Sequence, residues 1–255
     1  GQGATAAAGG AGAEAGFGGQ GTTTSSQTDG GMGGTGAGGG TAGSGGSSAV
    51  VPPLYGSSQG TGGPAPVNGS PMQAGSVSYY LIVPSSPAQP SPLLVVYSGT
   101  EGAAQMTSNL LNVGSMTGTS GFIQAVLDGV TYNGDGSAGA AVLDALRGSY
   151  DIDNDRTYLL GESAGTTAAM QLGFDLRQSY FAAYWANDVN ASGGPVLSAA
   201  QLGFAPWGQV GPGGDFGDAQ AIVAAMGAAG YRLPSPAPYD GPGSSQHGSA
   251  EQFIA

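Results

Sequence analysis

Residues 156–165, RTYLLGESAG, constrain this chain more than any other stretch. An apolar strand over 157–160 runs into Gly161-Glu162-Ser163-Ala164-Gly165, and residues with helical spacing follow over 164–176. A serine on a sharp strand-to-helix turn is the setting of an activated nucleophile, because the turn projects its hydroxyl clear of the sheet. Such a turn brings the strand and helix backbones close, so its flanking residues must be small. Gly161, Ala164 and Gly165 meet that demand. In a chain with 52 glycines the bare G-x-S-x-G pattern also arises by chance, and Gly56-Ser57-Ser58-Gln59-Gly60 fits it too. Ser58 has no strand before it and no helix after it, so Ser163 is the candidate nucleophile.

The surrounding pattern predicts an α/β domain over 76–255. Residues 77–83 alternate as a β-branched and aromatic strand, closed by Pro84. The run 93–97, LLVVY, is apolar throughout, as in strands buried on both faces. Further strands are expected at 122–127, 180–186, 203–210 and 231–233. Helices are expected at 105–113, 138–146, 219–229 and after His247. Strands alternating with helices at this spacing imply βαβ units and a mostly parallel sheet flanked by helices.

Residues 1–75 read differently. They are dominated by Gly, Ala, Ser and Thr, with Glu14 and Asp29 as the only charges. So little apolar surface does not offset ordering entropy, and the stretch is expected to be a flexible, disordered tether. The segment 50–56, VVPPLYG, stands out within it as a candidate docking segment. Gly1 opens the chain without the charged and apolar stretch of a signal peptide.

Composition narrows the chemistry. The net charge is −12, and the four cations are all arginines: Arg147, Arg156, Arg177 and Arg232. An acidic chain without a basic cluster argues against nucleic acid, anionic membranes and strongly anionic substrates as partners. No apolar run approaches the ~18 residues of a membrane span. The absence of cysteine removes disulfides, thiolate chemistry and cysteine-zinc sites together. No metal-ligand set and no phosphate-binding loop is visible, so no cofactor is expected.

A serine nucleophile needs a base, and His247 is the only histidine. It lies C-terminal to Ser163, in a loop between a short strand and the last helix. Five acids stand between them: Asp175, Asp188, Asp215, Asp218 and Asp240. Asp175 belongs to the helix after the serine and should point away. Asp240 is too near His247 in sequence to come round from a neighbouring strand. Asp215, in the loop after the 203–210 strand, ranks first as the acid that orients the histidine. Asp188, just past the 180–186 strand, ranks second. Asp218, third, is better explained as a helix N-cap. The backbone N–H groups of Ala164 and of Thr100, in the loop after the 93–97 strand, are the expected oxyanion donors. Trp185 and Trp207, with Phe216, could form an apolar wall for a substrate group, although core packing is the default for a strand tryptophan.

The segment 150–165, YDIDNDRTYLLGESAG, resembles the stretch through the nucleophile in secreted esterases of the polyhydroxybutyrate depolymerase and feruloyl esterase type. The resemblance covers roughly 79–255. It implies an α/β-hydrolase fold and carboxylic ester hydrolysis through a Ser-Asp-His triad. By motif position Ser163 carries over as nucleophile, His247 as base, Asp215 as acid, and Thr100 and Ala164 as oxyanion donors. Family members usually carry His-Gly where this chain has Ser98-Gly99. The expectation is a tethered, secreted or cell-surface bacterial enzyme, possible substrates being polyester, feruloyl or acetyl esters. A serine peptidase or thioesterase would use the same machinery. A non-catalytic hydrolase-like binding module is the reading from another class.

Overall fold

The all-apolar run at 93–97 needs neighbours on both sides, and the computed structural model supplies them. It describes residues 52–61, 70–194, 207–210 and 216–255. β3 (Ser91–Tyr97) is buried at every position. It lies between β4 (Ile123–Leu127) and β5 (Ile152–Glu162) and runs parallel to both. β6 (Ala183–Asn187) and β7 (Trp207–Val210) continue the parallel array beyond β5. β2 (Val77–Ile82) joins β4 antiparallel, and β1 (Pro71–Ala74) joins β2 the same way. The order is β1-β2-β4-β3-β5-β6-β7, a mostly parallel sheet as expected.

Because side chains alternate along a strand, β3 divides its own between two faces. Leu93, Val95 and Tyr97 join Ile123, Leu127 and Leu159 on one face. Residues of α2 (Gly136–Ser149), α3 (Thr166–Met170) and α4 (Phe216–Ala228) pack into that cluster, among them Leu143, Ala168 and Ile222. Leu94 and Val96 join Val126 and Leu160 on the other face. There α1 (Gly102–Thr117) covers them with Ala103, Met106 and Leu110. Each fully buried aliphatic side chain contributes roughly 1.5–3 kcal/mol of transfer free energy. The helix α2 starts two residues before the expected boundary because Asp135 caps it, accepting from Ser137 N at 3.0 Å and Ala138 N at 3.2 Å.

The folded chain also reaches N-terminal of the expected start at residue 76. β1 lies before it, and Ser57 forms a bridge with Asp153 at the start of β5. Ser58 N donates to Ile152 O at 2.8 Å, and Asn154 N donates to Gly56 O at 3.0 Å. Ser58 Oγ donates to Tyr150 O and accepts from Ile152 N. The second G-x-S-x-G serine is thus a staple to β5, and residues 52–56 lie beside it. Tyr55 N adds a bond to Asp155 Oδ2 at 2.7 Å.

Other differences are local. The helix expected over 164–176 is a 3-10 turn (Ser163–Gly165), then α3, then a π-helical stretch (Gln171–Leu176). Residues 231–233 form no strand, and only Arg232 carries a bridge. Asp218 lies inside the first turn of α4 rather than at its N-cap. The last helix is α5 (Ala250–Ile254). Among the described residues no helix is long and apolar enough to cross a membrane.

Candidate active site

The elbow sits where the carboxyl end of β5 meets α3. Ser163 takes φ +45°, in the left-handed region that residues with a side chain rarely adopt. Such strain persists only where the surroundings hold it. Here Thr166 Oγ1 donates to Ser163 O at 2.7 Å, and Asn133 Nδ2 donates to Ala164 O at 3.2 Å. Gly165 shows why the turn admits no side chain. A Cβ there would stand 2.6 Å from both Ser98 O and Tyr97 O, at the end of β3.

His247 comes to this elbow from 84 residues away, and its Nε2 lies 2.9 Å from Ser163 Oγ. That is hydrogen-bond distance for a base and its nucleophile. The histidine loop is tied from several directions. Gln246 N donates to Gly243 O at 3.0 Å, and Gly248 N donates to Asp188 Oδ2. Ser249 caps α5 by accepting from Gln252 N at 3.2 Å.

Asp188 follows β6 directly, is fully buried, and takes φ +48°. Its Oδ1 accepts from Gln252 Nε2 at 2.7 Å, and its own N–H donates to Gln252 Oε1 at 3.2 Å. With Gly248 on Oδ2, it holds the chain at two points just after His247. Asp215, ranked first from sequence, lies outside the described residues, as does the loop that carries it.

The loop after β3 lies against the elbow. A Cβ on Gly99 would be 3.2 Å from Ser163 Cβ, and Gly99 N donates to Glu101 Oε1 at 3.0 Å. Thr100, between them, is exposed. Ala164, immediately after the serine, is buried. Trp185 is on β6, and its Nε1 donates to Asn187 Oδ1 at 3.0 Å. It lines an apolar cavity of about 400 Å³ with Leu94, Leu110, Phe122, Tyr158 and Ile254, on the α1 face of the sheet. Trp207 is on β7, paired with Ala183. Phe216, at the start of α4, is half exposed.

Residues absent from the sequence reading complete the site. Glu162, the last residue of β5, is 7 % exposed, and its Oε2 accepts from Asn187 Nδ2 at 2.6 Å. Burial pushes its carboxyl up to about 8 from the ordinary 4.5, the Asn187 bond opposes that, and Asp188 and Glu101 add to it. Glu162 and Asn187 line a cleft of about 420 Å³ with Glu101, Met106, Asn109 and Gly248. The available signal was a carboxyl placed between a buried strand and a buried turn, where an ionised group is costly.

Five successive parallel strands and an antiparallel second strand carry a serine elbow at the end of the central β5. This is the α/β-hydrolase fold. No family model matches the chain, and no curated protein matches it. Among solved structures it is similar to a thermostable esterase, at 17 % identity and TM-score 0.49 over 70 % of this chain. It spans 55 % of that esterase's length. A poly(3-hydroxybutyrate) depolymerase from Bordetella parapertussis is similar at 14 % identity and TM-score 0.49, over 62 % of this chain and 77 % of that one. A thermophilic carboxylesterase cloned from a metagenomic library shows 15 % identity and TM-score 0.49, over 70 % and 78 % of the two chains.

Proposed function

We propose that this protein is a serine esterase that hydrolyses carboxylic esters through an acyl-enzyme on Ser163. The observation that carries the reading is the 2.9 Å approach of His247 Nε2 to a serine held at φ +45° on the elbow. His247 takes the hydroxyl proton as Ser163 Oγ attacks the ester carbonyl. The N–H groups of Ala164 and Thr100 receive the oxyanion, a single such donor being worth about 3 kcal/mol of barrier. Collapse of the tetrahedral adduct expels the alcohol, which takes the proton from His247. Water, deprotonated by the same imidazole, then releases the acid. Asp188 serves as the third member: among the described residues it is the acid bonded to the histidine loop, through Gly248. It stabilises the imidazolium that forms at each step.

The test is turnover of a short-chain p-nitrophenyl ester by the wild type, Ser163→Ala and His247→Ala. Loss of turnover in both folded variants is expected. Wild-type rates in Ser163→Ala would defeat the proposal.

A further inference from the structure

The mechanism above leaves one buried carboxyl unused, that of Glu162. It immediately precedes the nucleophile, and two acidic groups face it from the elements packed around it. Asp188 follows β6, and its carboxyl lies within hydrogen-bond reach of Glu162. Glu101 precedes α1 and lines the same cleft. No cation lines that cleft among the described residues.

Two carboxyl groups in contact away from water do not both ionise, and one keeps a proton. The hydrogen bonds decide which one. Asp188 already accepts from two protein donors, Gly248 N and Gln252 Nε2. Among the described residues Glu162 accepts from the Asn187 Nδ2 amide, through Oε2. Asn187 is in turn fixed by Trp185 Nε1 on Oδ1. A carboxylate has room for a third donor beside those two. Burial acts in the same direction, raising the Glu162 carboxyl above its ordinary range.

We propose that Glu162 is a positioning residue held as a neutral carboxylic acid, donating its proton in a hydrogen bond to the Asp188 carboxylate and so orienting the Asp188–His247 pair. The role rests on the esterase reading above and acts through Asp188 rather than on substrate. The chain of contacts is continuous: Trp185 indole to Asn187, Asn187 amide to Glu162, Glu162 acid to Asp188, and Asp188 to the loop bearing His247. Loss of the Glu162 proton would replace a donor with a second negative charge beside Asp188. Asp188 would be pushed from its place, and the oxyanion forming at the adjacent serine would face an anion. Turnover therefore falls on the alkaline side for a reason separate from the histidine.

The experiment measures kcat and KM for p-nitrophenyl acetate from about pH 6 to about pH 9.5 for wild type, Glu162→Ala and Glu162→Gln. Glu162→Ala should lower kcat about 10- to 100-fold with KM little changed, as expected of misplaced catalytic groups. Glu162→Gln, a neutral donor of the same shape, should recover most of that loss and should lack the wild-type alkaline fall. A Glu162→Gln profile that falls with the wild-type midpoint would overturn the proposal. So would a Glu162→Gln variant as impaired as Glu162→Ala.

A second readout keeps failure of this inference apart from failure of the esterase reading. Infrared difference spectra of the intact protein report a carboxylic-acid carbonyl directly, without turnover. The proposal expects a protonated-carboxyl band that disappears between about pH 6 and about pH 9 in wild type and in Ser163→Ala, and is absent from Glu162→Gln. Absence of that band from the wild type would overturn it even in an active enzyme.

Discussion

Replacing Gly165 with alanine tests the packing that holds the elbow. The new Cβ would lie 2.6 Å from Tyr97 O, 2.6 Å from Ser98 O and 2.7 Å from Tyr97 C. All three atoms are backbone of β3 or of the loop after it, so no side chain can swing away. Carbon atoms at rest lie about 3.5–4.0 Å apart, so the elbow and β3 must separate by roughly half an ångström or more. Overpacking of this kind costs about 1–3 kcal/mol. In a domain of this size each kcal/mol lowers Tm by about 2–4 °C, which gives a loss of about 2–12 °C. Turnover should suffer beyond the stability loss, because the displacement moves Ser163 from His247. A 1 Å misplacement can cost ~100-fold, and tenfold or more is the expected loss here. Thermal unfolding and p-nitrophenyl acetate turnover at a temperature where the variant is folded measure both effects. Gly148→Ala is the control, since it stands near the end of α2 with nothing within 4 Å of the added carbon. That change should stabilise by up to ~1 kcal/mol. A Gly165→Ala protein with wild-type Tm and wild-type turnover would refute the packing account of the elbow.

Three further outcomes are expected. Asp188→Asn should lower kcat by about 10⁴-fold in a protein that still folds, whereas Asp215→Asn should change it by less than about tenfold; the reverse pattern would move the acid to Asp215. Asp135→Ala removes the cap of α2 and should cost about 0.5–2 kcal/mol in denaturant unfolding, with turnover unaffected. Glu162 also sets a pH dependence of stability. Its folded carboxyl titrates near 8 against an ordinary 4.5, so between those values the folded state holds a proton that the unfolded chain releases. This contribution is therefore fully present below about 4.5, declines as pH rises towards about 8, and is level above; Glu162→Gln should flatten the slope in unfolding curves taken across that window.

The parts legible in the sequence were those set by local pattern. β3 announced itself because five apolar residues in a row, followed by a Ser-Gly turn, fit a strand buried on both faces. Ser163 stood out from Ser58 because a strand led into it, and the structure shows Ser58 serving as a staple to β5 instead. The boundaries were less legible where long-range pairing decides them. Nothing near Ser57 signals that residue 153 waits as its partner, so the folded chain was expected to start later than it does. Asp135 was passed over because a cap is recognised only once the helix start is known. The acid was ambiguous for a similar reason. Both Asp188 and Asp215 follow expected strands, and no local pattern records which of them meets the histidine loop. Its grip on Asp188 depends on Gly248 and Gln252, which no motif marks. Glu162 occupied the variable position of the elbow pattern, and its character arises from the β5–β6 register that sets it opposite Asn187.

Reaction with a fluorophosphonate probe, followed by peptide mapping of the intact adduct, tests the activated serine most directly. The account expects one phosphonyl group per chain, carried on Ser163, with labelling lost in Ser163→Ala and strongly slowed in His247→Ala. Folded wild-type protein that remains unlabelled, or that is labelled at another residue, would contradict it.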